Sequence, residues 1–387
     1  MTGEELIARA IQMEPVLRER ASAAAANRRL PQETIADFKD AGFFRVLQPA
    51  RYGGFELSPQ VLFDLQMVIG AACPSSAWVL GVVAVHSWQL ALFEPQAQDE
   101  VWGEDTDVII SSSYMPVGKV TREGDDLRLS GRWGYSSGSD HCDWVFLGAF
   151  VPTESGPPDM RTFLLPRCDY RIEDTWHVSG LQATGSNDIV VEDALVPAYR
   201  THKLIDGFRC ENAGNAVNPA PVFRLPFGQV FVRSVSTTIL GIGQGMLDAY
   251  TQTMRERCSR ANGDKGFEDP IAQRICADTA ATIDECRLVL ERNFQEMMAR
   301  VNAGESIPVE RRVKYRNDSS RCVERCLSMI DAMFTAAAGS AIRLDSPLQR
   351  YFQDGHAARA HYANNPIGPG QNYGRVQLGL KNTDFFI

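Results

Sequence analysis

The chain has 387 residues, 44% hydrophobic and 22% charged, an ordinary composition for a globular protein long enough to form two or three domains. Its formal net charge of −9 argues against a surface built for nucleic acid or an anionic membrane. No run of 18 apolar residues occurs, and the opening MTGEELIARA is acidic where a signal peptide is basic, so we expect a cytoplasmic protein without a membrane span.

The nine cysteines are scattered, and none of them forms a CxxC pair. No histidine stands at ligand spacing from Cys322 and Cys326. We therefore expect reduced thiols, with neither disulfides nor a bound metal.

Residues 1–110 are predicted to form an N-terminal α-helical domain. Proline at position 31 and glycine at position 42 bracket a helix, which is the usual asymmetry of start and stop residues. The segments 61–69 and 78–92 are apolar enough to be buried helices, with a turn at 51–54 between the first helix and this pair.

Residues 111–205 are predicted to form a central antiparallel β-barrel domain. Short β-rich runs at 127–129, 144–151, 162–165 and 189–196 alternate with Gly, Pro, Ser and Asp. This alternation is typical of a small antiparallel barrel or sandwich.

Residues 206–387 are predicted to form a C-terminal four-helix bundle preceded by a connecting loop at 206–226. Apolar residues recur at helical spacing from position 271 to 301, which indicates one long amphipathic helix. Gly241, Gly243 and Gly245 lack the spacing of a dinucleotide-binding loop, so close helix packing is the better interpretation.

The stretch GLQATGSNDIVVEDALVP at 180–197 and the order helices, β domain, helical bundle resemble the acyl-CoA dehydrogenase superfamily, and the resemblance covers nearly the whole chain. It implies an acyl-CoA dehydrogenase-like fold and flavin chemistry. Dehydrogenases of this fold commonly carry a glutamate base near the C-terminus. In the matching segment, RAHYANN at 359–365, Tyr362 takes that place, and a phenol with a pKa near 10 is a poor base at neutral pH.

Four segments together resemble another branch, the oxygenase components of two-component flavin-dependent aromatic monooxygenases. They are 78–93, 111–116, 131–144 and 359–365. Within that branch the resemblance is to the hydroxylases of the steroid-degradation phenol 3-HSA and of p-hydroxyphenylacetate. It implies a separate flavin reductase that supplies FMNH2 or FADH2, and O2 as co-substrate. A C4a-hydroperoxyflavin would then hydroxylate a small phenolic compound on a cytoplasmic homotetramer.

The resemblance also implies catalytic residues. His361 is expected to accept the phenol proton or to hydrogen-bond the substrate hydroxyl. Asn365 stands where the family often has an aspartate that orients the histidine. His86 is expected near the flavin and the O2-binding face, although it could equally be a packed core residue.

The expected flavin contacts are Trp78, Ser112, Trp133, Ser136, Ser137 and Arg233. Ser137 is expected to hydrogen-bond flavin N5, and Ser136 is the alternative one position away. Serines in glycine-rich turns are also common for conformational reasons, Trp133 could belong to the β core, and Arg233 could form an ordinary ion pair.

The sequence leaves three other functions open. An indole or other heteroaromatic oxygenase on the same fold would need no strong base, which the asparagine at 365 permits. An acyl-CoA dehydrogenase could carry its base on another helix. A flavin-binding or scaffolding protein could have lost its chemistry.

Overall fold

The computed structural model describes residues 1–153, 155–258 and 263–387. The N-terminal part is helical. Its helices are α1 (Gly3–Ala26), α2 (Gln32–Ala41), α3 (Pro59–Ala72), α4 (Pro74–Leu90) and α5 (Pro95–Trp102). Gly42 ends α2 with φ of 82°, in the left-handed region that glycine adopts readily, as the sequence predicts. All residues of α4 are buried, which agrees with its lack of a polar face.

The central part is a sheet. Its strands are β1 (Ile110–Glu123), β2 (Asp126–Ser136), β3 (Trp144–Val151), β4 (Asp159–Pro166), β5 (Arg171–Glu173), β6 (Asn187–Val196) and β7 (Thr201–Lys203). Within the described residues they form one seven-stranded sheet in the order β5-β6-β2-β1-β3-β4-β7. The strand predicted at 189–196 is confirmed as part of β6.

The expected antiparallel barrel is wrong: the sheet is mixed and open. β1 and β3 pair in parallel, with Ile110 opposite Trp144, and the other pairs are antiparallel. The end strands β5 and β7 have three residues each and do not pair with one another in the described sheet, so no barrel closes. Alternating hydrophobicity tells which face of a strand is buried but not which strand lies beside it.

The C-terminal part is again helical. After α6 (Leu204–Arg209) come α7 (Phe227–Glu256), α8 (Pro270–Asn302), α9 (Val309–Ala337), α10 (Pro347–Ala360) and α11 (Ile367–Gln377). α7 contacts α8, α9 and α10, and it also packs on α3 and α4 of the N-terminal part. One continuous apolar core therefore links both helical parts of the chain.

Close packing explains the glycines of α7. A Cβ at Gly241 would lie 2.8 Å from the Met67 carbonyl oxygen, and one at Gly245 would lie 2.6 Å from that of Ala71. α7 is also the one described helix long and apolar enough to cross a membrane, but 94% of its apolar window is buried inside the protein. Its apolar character is that of a core helix.

Candidate functional site

Trp78 on α4 lies where the helices meet the sheet and connects two of the predicted site residues. Its indole N–H donates to the Ser137 hydroxyl at 3.1 Å. Its ring meets the His361 ring edge to face, with centroids 5.8 Å apart. The fold therefore brings together residues from α4, from the turn after β2 and from the turn after α10.

A line of hydroxyl groups continues inward from Ser137. The Ser137 oxygen lies 2.7 Å from that of Ser186, which lies 2.6 Å from that of Thr184. The Thr184 hydroxyl donates to the Leu181 carbonyl oxygen at 2.9 Å. We call these three side chains and the carbonyl the hydroxyl chain.

Leu181, where the hydroxyl chain ends, is held by the helical part of the protein. It has a φ of +51°, which is unfavourable for leucine. The Asp354 carboxylate on α10 accepts its N–H at 2.5 Å, and the Trp176 indole donates to its carbonyl at 3.0 Å. Burial raises the pKa of Asp354 to about 6, although the bond from Leu181 opposes this shift.

His361 caps the single-turn helix Tyr362–Asn364, and this contact fixes its tautomer. Its Nδ1 accepts the backbone N–H of Ala363 at 3.2 Å, so the neutral ring carries its proton on Nε2. Burial and, to a smaller extent, the positive charge of Arg316 lower the pKa of His361 to about 4. Near pH 7 His361 therefore presents a neutral N–H donor.

Arg316 on α9 is a site residue that the sequence reasoning missed. It is 4% exposed, makes no hydrogen bond or ion pair among the described residues, and its Nη1 is buried without a partner. The α9 helix contacts the turn that follows His361, and Arg316 interacts electrostatically with His361, Tyr362 and Asp384. The available signal was a charge on the buried stripe of α9, between Val313 and Ser320.

Aromatic rings lie around the His361 imidazole. The Phe231 centroid lies 6.4 Å from that of His361, and Tyr362 lies 5.0 Å from it. Tyr114 meets Phe231 edge to face at 4.9 Å, and Phe386 contacts both Phe231 and Tyr362. The arrangement suits a flat apolar ring that carries one polar atom.

His86 and Ser112 lie on the other side of Tyr114. The His86 ring meets Tyr114 at 6.2 Å, its Nδ1 donates to the Ile110 carbonyl at 2.6 Å, and its Nε2 is buried without a partner. Burial lowers the pKa of His86 to about 4. Burial raises the pKa of the Tyr114 phenol well above its usual range, and the nearby Ser112 hydroxyl opposes this shift.

Asn365 and Trp133 lie apart from this group. The Asn365 side-chain oxygen accepts the Ile367 N–H at 3.0 Å, and no described contact joins it to His361. A spacing of four residues places side chains on one face only in an α-helix, and this segment is a tighter turn. Trp133 is fully buried in the sheet core, where its indole donates to the Gly148 carbonyl at 2.8 Å.

Arg233 is also buried, within the helical core. Its Nη1 donates to the Thr237 hydroxyl at 2.6 Å, and its guanidinium lies 4.9 Å from the Phe63 ring centroid. Burial lowers the pKa of Arg233 to about 10. The structure shows no contact between it and Trp78 or His361, and its role in flavin binding stays a prediction.

The site fits a flavin ring, which offers several hydrogen-bonding atoms along one edge of a flat apolar body. Buried polar atoms without partners include His86 Nε2 on α4, Ser111 Oγ on β1 and Ser136 Oγ at the end of β2. Ser137 is 8% exposed, and glycine with φ of +72° follows it at position 138. The orphaned atoms supply donors and acceptors that the fold itself does not use.

Comparison with known proteins identifies the family. Residues 234–366 match the family model of the acyl-CoA dehydrogenase C-terminal domain. The chain is 39% identical to the flavin-dependent monooxygenase oxygenase subunit HsaA of Rhodococcus jostii, covering 96% of this chain and 98% of that protein. It is 29% identical to the oxygenase component of p-hydroxyphenylacetate 3-hydroxylase of Acinetobacter baumannii, covering 98% and 90%.

The fold comparison leads to the same family. The crystal structure of 3-HSA hydroxylase from Rhodococcus sp. RHA1 superposes with a TM-score of 0.95 at 38% identity, covering 99% of each chain. The chain belongs to the oxygenase subunits of flavin-dependent monooxygenases, which have the acyl-CoA dehydrogenase fold.

Proposed function

We propose that this protein hydroxylates a small phenolic compound with O2 and reduced flavin that a separate reductase delivers. The observation that carries the proposal is the neutral N–H of His361, whose ring contacts the rings of Trp78, Phe231 and Tyr362 and feels the charge of the unpaired Arg316 guanidinium. The names of the relatives HsaA and p-hydroxyphenylacetate 3-hydroxylase support it.

These residues would bind the substrate as follows. The phenol oxygen accepts the Nε2 proton of His361 and lies in the positive field of Arg316. This field favours the phenolate, which forms when the phenol releases its proton to solvent water, and the phenolate ring is more electron-rich and reacts faster with an electrophilic oxygen. His361 therefore acts as a hydrogen-bond donor to the substrate oxygen, the second of the two roles expected for it, rather than as its base.

The flavin is assigned to the other side of Trp78. Reduced flavin, when bound, activates O2 and supplies the oxygen atom that is transferred. In this proposal Ser137 holds the flavin edge, Ser112 and His86 face the same space, Ser136 supports the turn, and Trp78 separates flavin from His361. Trp133 keeps the sheet beneath this region rigid.

The test is single-turnover hydroxylation of phenols with reduced FMN or FAD. We expect hydroxylated product from phenols, and we expect His361→Ala to bind flavin as the wild type does while it releases H2O2 in place of most product. Oxygen transfer to indole but not to phenols would favour the heteroaromatic alternative. Bleaching of bound oxidised flavin by an acyl-CoA would favour a dehydrogenase.

The remaining assignments concern the assembly. We propose a cytoplasmic homotetramer whose subunits consist of domains 1–110, 111–205 and 206–387, the last containing a four-helix bundle of α7 to α10. Large apolar side chains on the surface support an assembly, among them Leu344 at 90% and Ile271 at 67% exposure. Sedimentation velocity would test this, and a monomer at micromolar concentration would contradict it.

A further inference from the structure

We propose that the hydroxyl chain makes this protein select reduced flavin over oxidised flavin. The inference rests on the flavin role proposed above for Ser137. It adds Ser186 and Thr184 as positioning residues that act through Ser137.

The hydrogen-bond geometry gives the hydroxyl chain one direction. A carbonyl oxygen accepts only, so the proton of Thr184 goes to Leu181 at 2.9 Å. The proton of Ser186 must then go to Thr184, and the proton of Ser137 must go to Ser186. If every hydroxyl donated in the opposite direction, the oxygens of Thr184 and of the Leu181 carbonyl would face each other at 2.9 Å with no proton between them.

Trp78 adds the second constraint at Ser137. Its indole N–H can only donate, and it occupies one lone pair of the Ser137 oxygen. The Ser137 proton is committed to Ser186, so the one bonding position left on Ser137 is a lone pair. Ser137 can accept a further hydrogen bond but cannot donate one.

The two redox states of flavin differ at N5, the atom that we assign to Ser137. Reduced flavin carries a proton on N5 and can donate it to Ser137. Oxidised flavin has a lone pair on N5, which would face the lone pair of Ser137 without a proton between them. The protein therefore binds the reduced flavin that a reductase supplies and disfavours the oxidised form that is left after turnover.

Burial keeps the direction of the chain fixed. Thr184 is 2% exposed and Ser186 is 3% exposed, so water has little access to reorient either hydroxyl. The Leu181 carbonyl is held in place through Asp354 and Trp176. The selection thus depends on side chains that do not themselves touch flavin.

Anaerobic titration with oxidised and with reduced FMN, repeated with FAD, tests the inference through the ratio of the two dissociation constants. We expect the wild type to prefer reduced flavin by at least about tenfold, the equivalent of roughly one hydrogen bond. In Ser186→Ala the Ser137 hydroxyl becomes free to donate to oxidised N5, so the preference should fall about tenfold. Thr184→Val should lower it as well, and Thr184→Ser should retain it.

The matched control is Ser139→Ala, which removes another buried serine hydroxyl that makes no hydrogen bond in the described structure. It should leave the ratio unchanged. If the wild type prefers reduced flavin but both Ser186→Ala and Thr184→Val keep the same ratio, this inference is overturned and the proposed function is not. A wild type that binds flavin without preference would overturn it too, and one that binds neither form would also remove the proposed function.

Discussion

At the scale of single residues, the hydrogen bond at Nδ1 decides what His361 can do. Because the Ala363 N–H occupies Nδ1, the ring donates from Nε2 and stays neutral near pH 7. A sequence motif identifies the residue but not its tautomer, since the tautomer depends on which backbone group the turn places beside the ring.

The lowered pKa of His361 predicts a loss of stability in acid. An unfolded histidine titrates near 6.5, whereas His361 titrates at about 4 in the folded protein. Between these values the unfolded chain takes up a proton that the folded protein does not, so the stability conferred by the neutral ring is lost as the pH falls from 6.5 to 4. In urea unfolding, the free energy of unfolding should decrease less between pH 8 and pH 5 in His361→Gln than in the wild type. Equal decreases would contradict the prediction.

Arg316 should contribute to function at the expense of stability. Replacing an unpaired buried charge by an apolar side chain commonly stabilises a protein, so we expect Arg316→Met to raise the free energy of unfolding by about 1–3 kcal/mol. The same variant should hydroxylate phenols at least about tenfold more slowly, because the phenolate loses a charged partner.

The slowing in Arg316→Met should be greatest for phenols of high pKa, which ionise least without help. Arg311→Met, on the exposed side of the same helix, should leave the rate unchanged. A stabilised variant with full activity would contradict the proposed role of Arg316.

At the scale of secondary structure, the contact of Gly180 with α10 joins the sheet region to the helices. A Cβ at Gly180 would lie 2.1 Å from the Gln353 carbonyl oxygen, too close for any rotamer to relieve. Gly180→Ala should therefore displace Leu181 from Asp354, lower the free energy of unfolding by about 1–3 kcal/mol and weaken flavin binding.

Gly374→Ala serves as the comparison, because nothing lies within 4 Å of a Cβ there and position 374 is inside α11. Alanine should be neutral or slightly stabilising at this position. Melting temperatures measured with and without FMN would check both variants. Equal melting temperatures for Gly180→Ala and the wild type would count against the contact.

Most of the helices and strands could be predicted from local sequence, whereas the neighbours that each one packs against or pairs with could not. Proline and glycine bound α2, apolar periodicity located α8, and a β-rich run between turn residues located β6, because these signals act within a few residues. The parallel pairing of β1 with β3 depends on how the chain crosses after β2, which no local pattern encodes. The role of Arg316 and the hydroxyl chain depend on side chains far apart in sequence, so they required the fold.

At the scale of the whole molecule, the N-terminal and C-terminal helical parts share one core. α7 packs on α3 and α4 as well as on α8, α9 and α10. We expect a fragment of residues 206–387 to aggregate or fail to fold, because the face of α7 that meets α3 and α4 would be exposed. Co-expression with residues 1–205 should restore solubility. A soluble, cooperatively unfolding fragment would show instead that 206–387 is an independent folding unit.

The bond between Leu181 and Asp354 joins residues 173 positions apart in the chain. During synthesis the turn that contains Leu181 leaves the ribosome long before α10 does, so the hydroxyl chain cannot take its final shape until late. Flavin added during refolding should therefore bind in the last kinetic phase, and its uptake would report the completion of folding rather than the formation of the sheet.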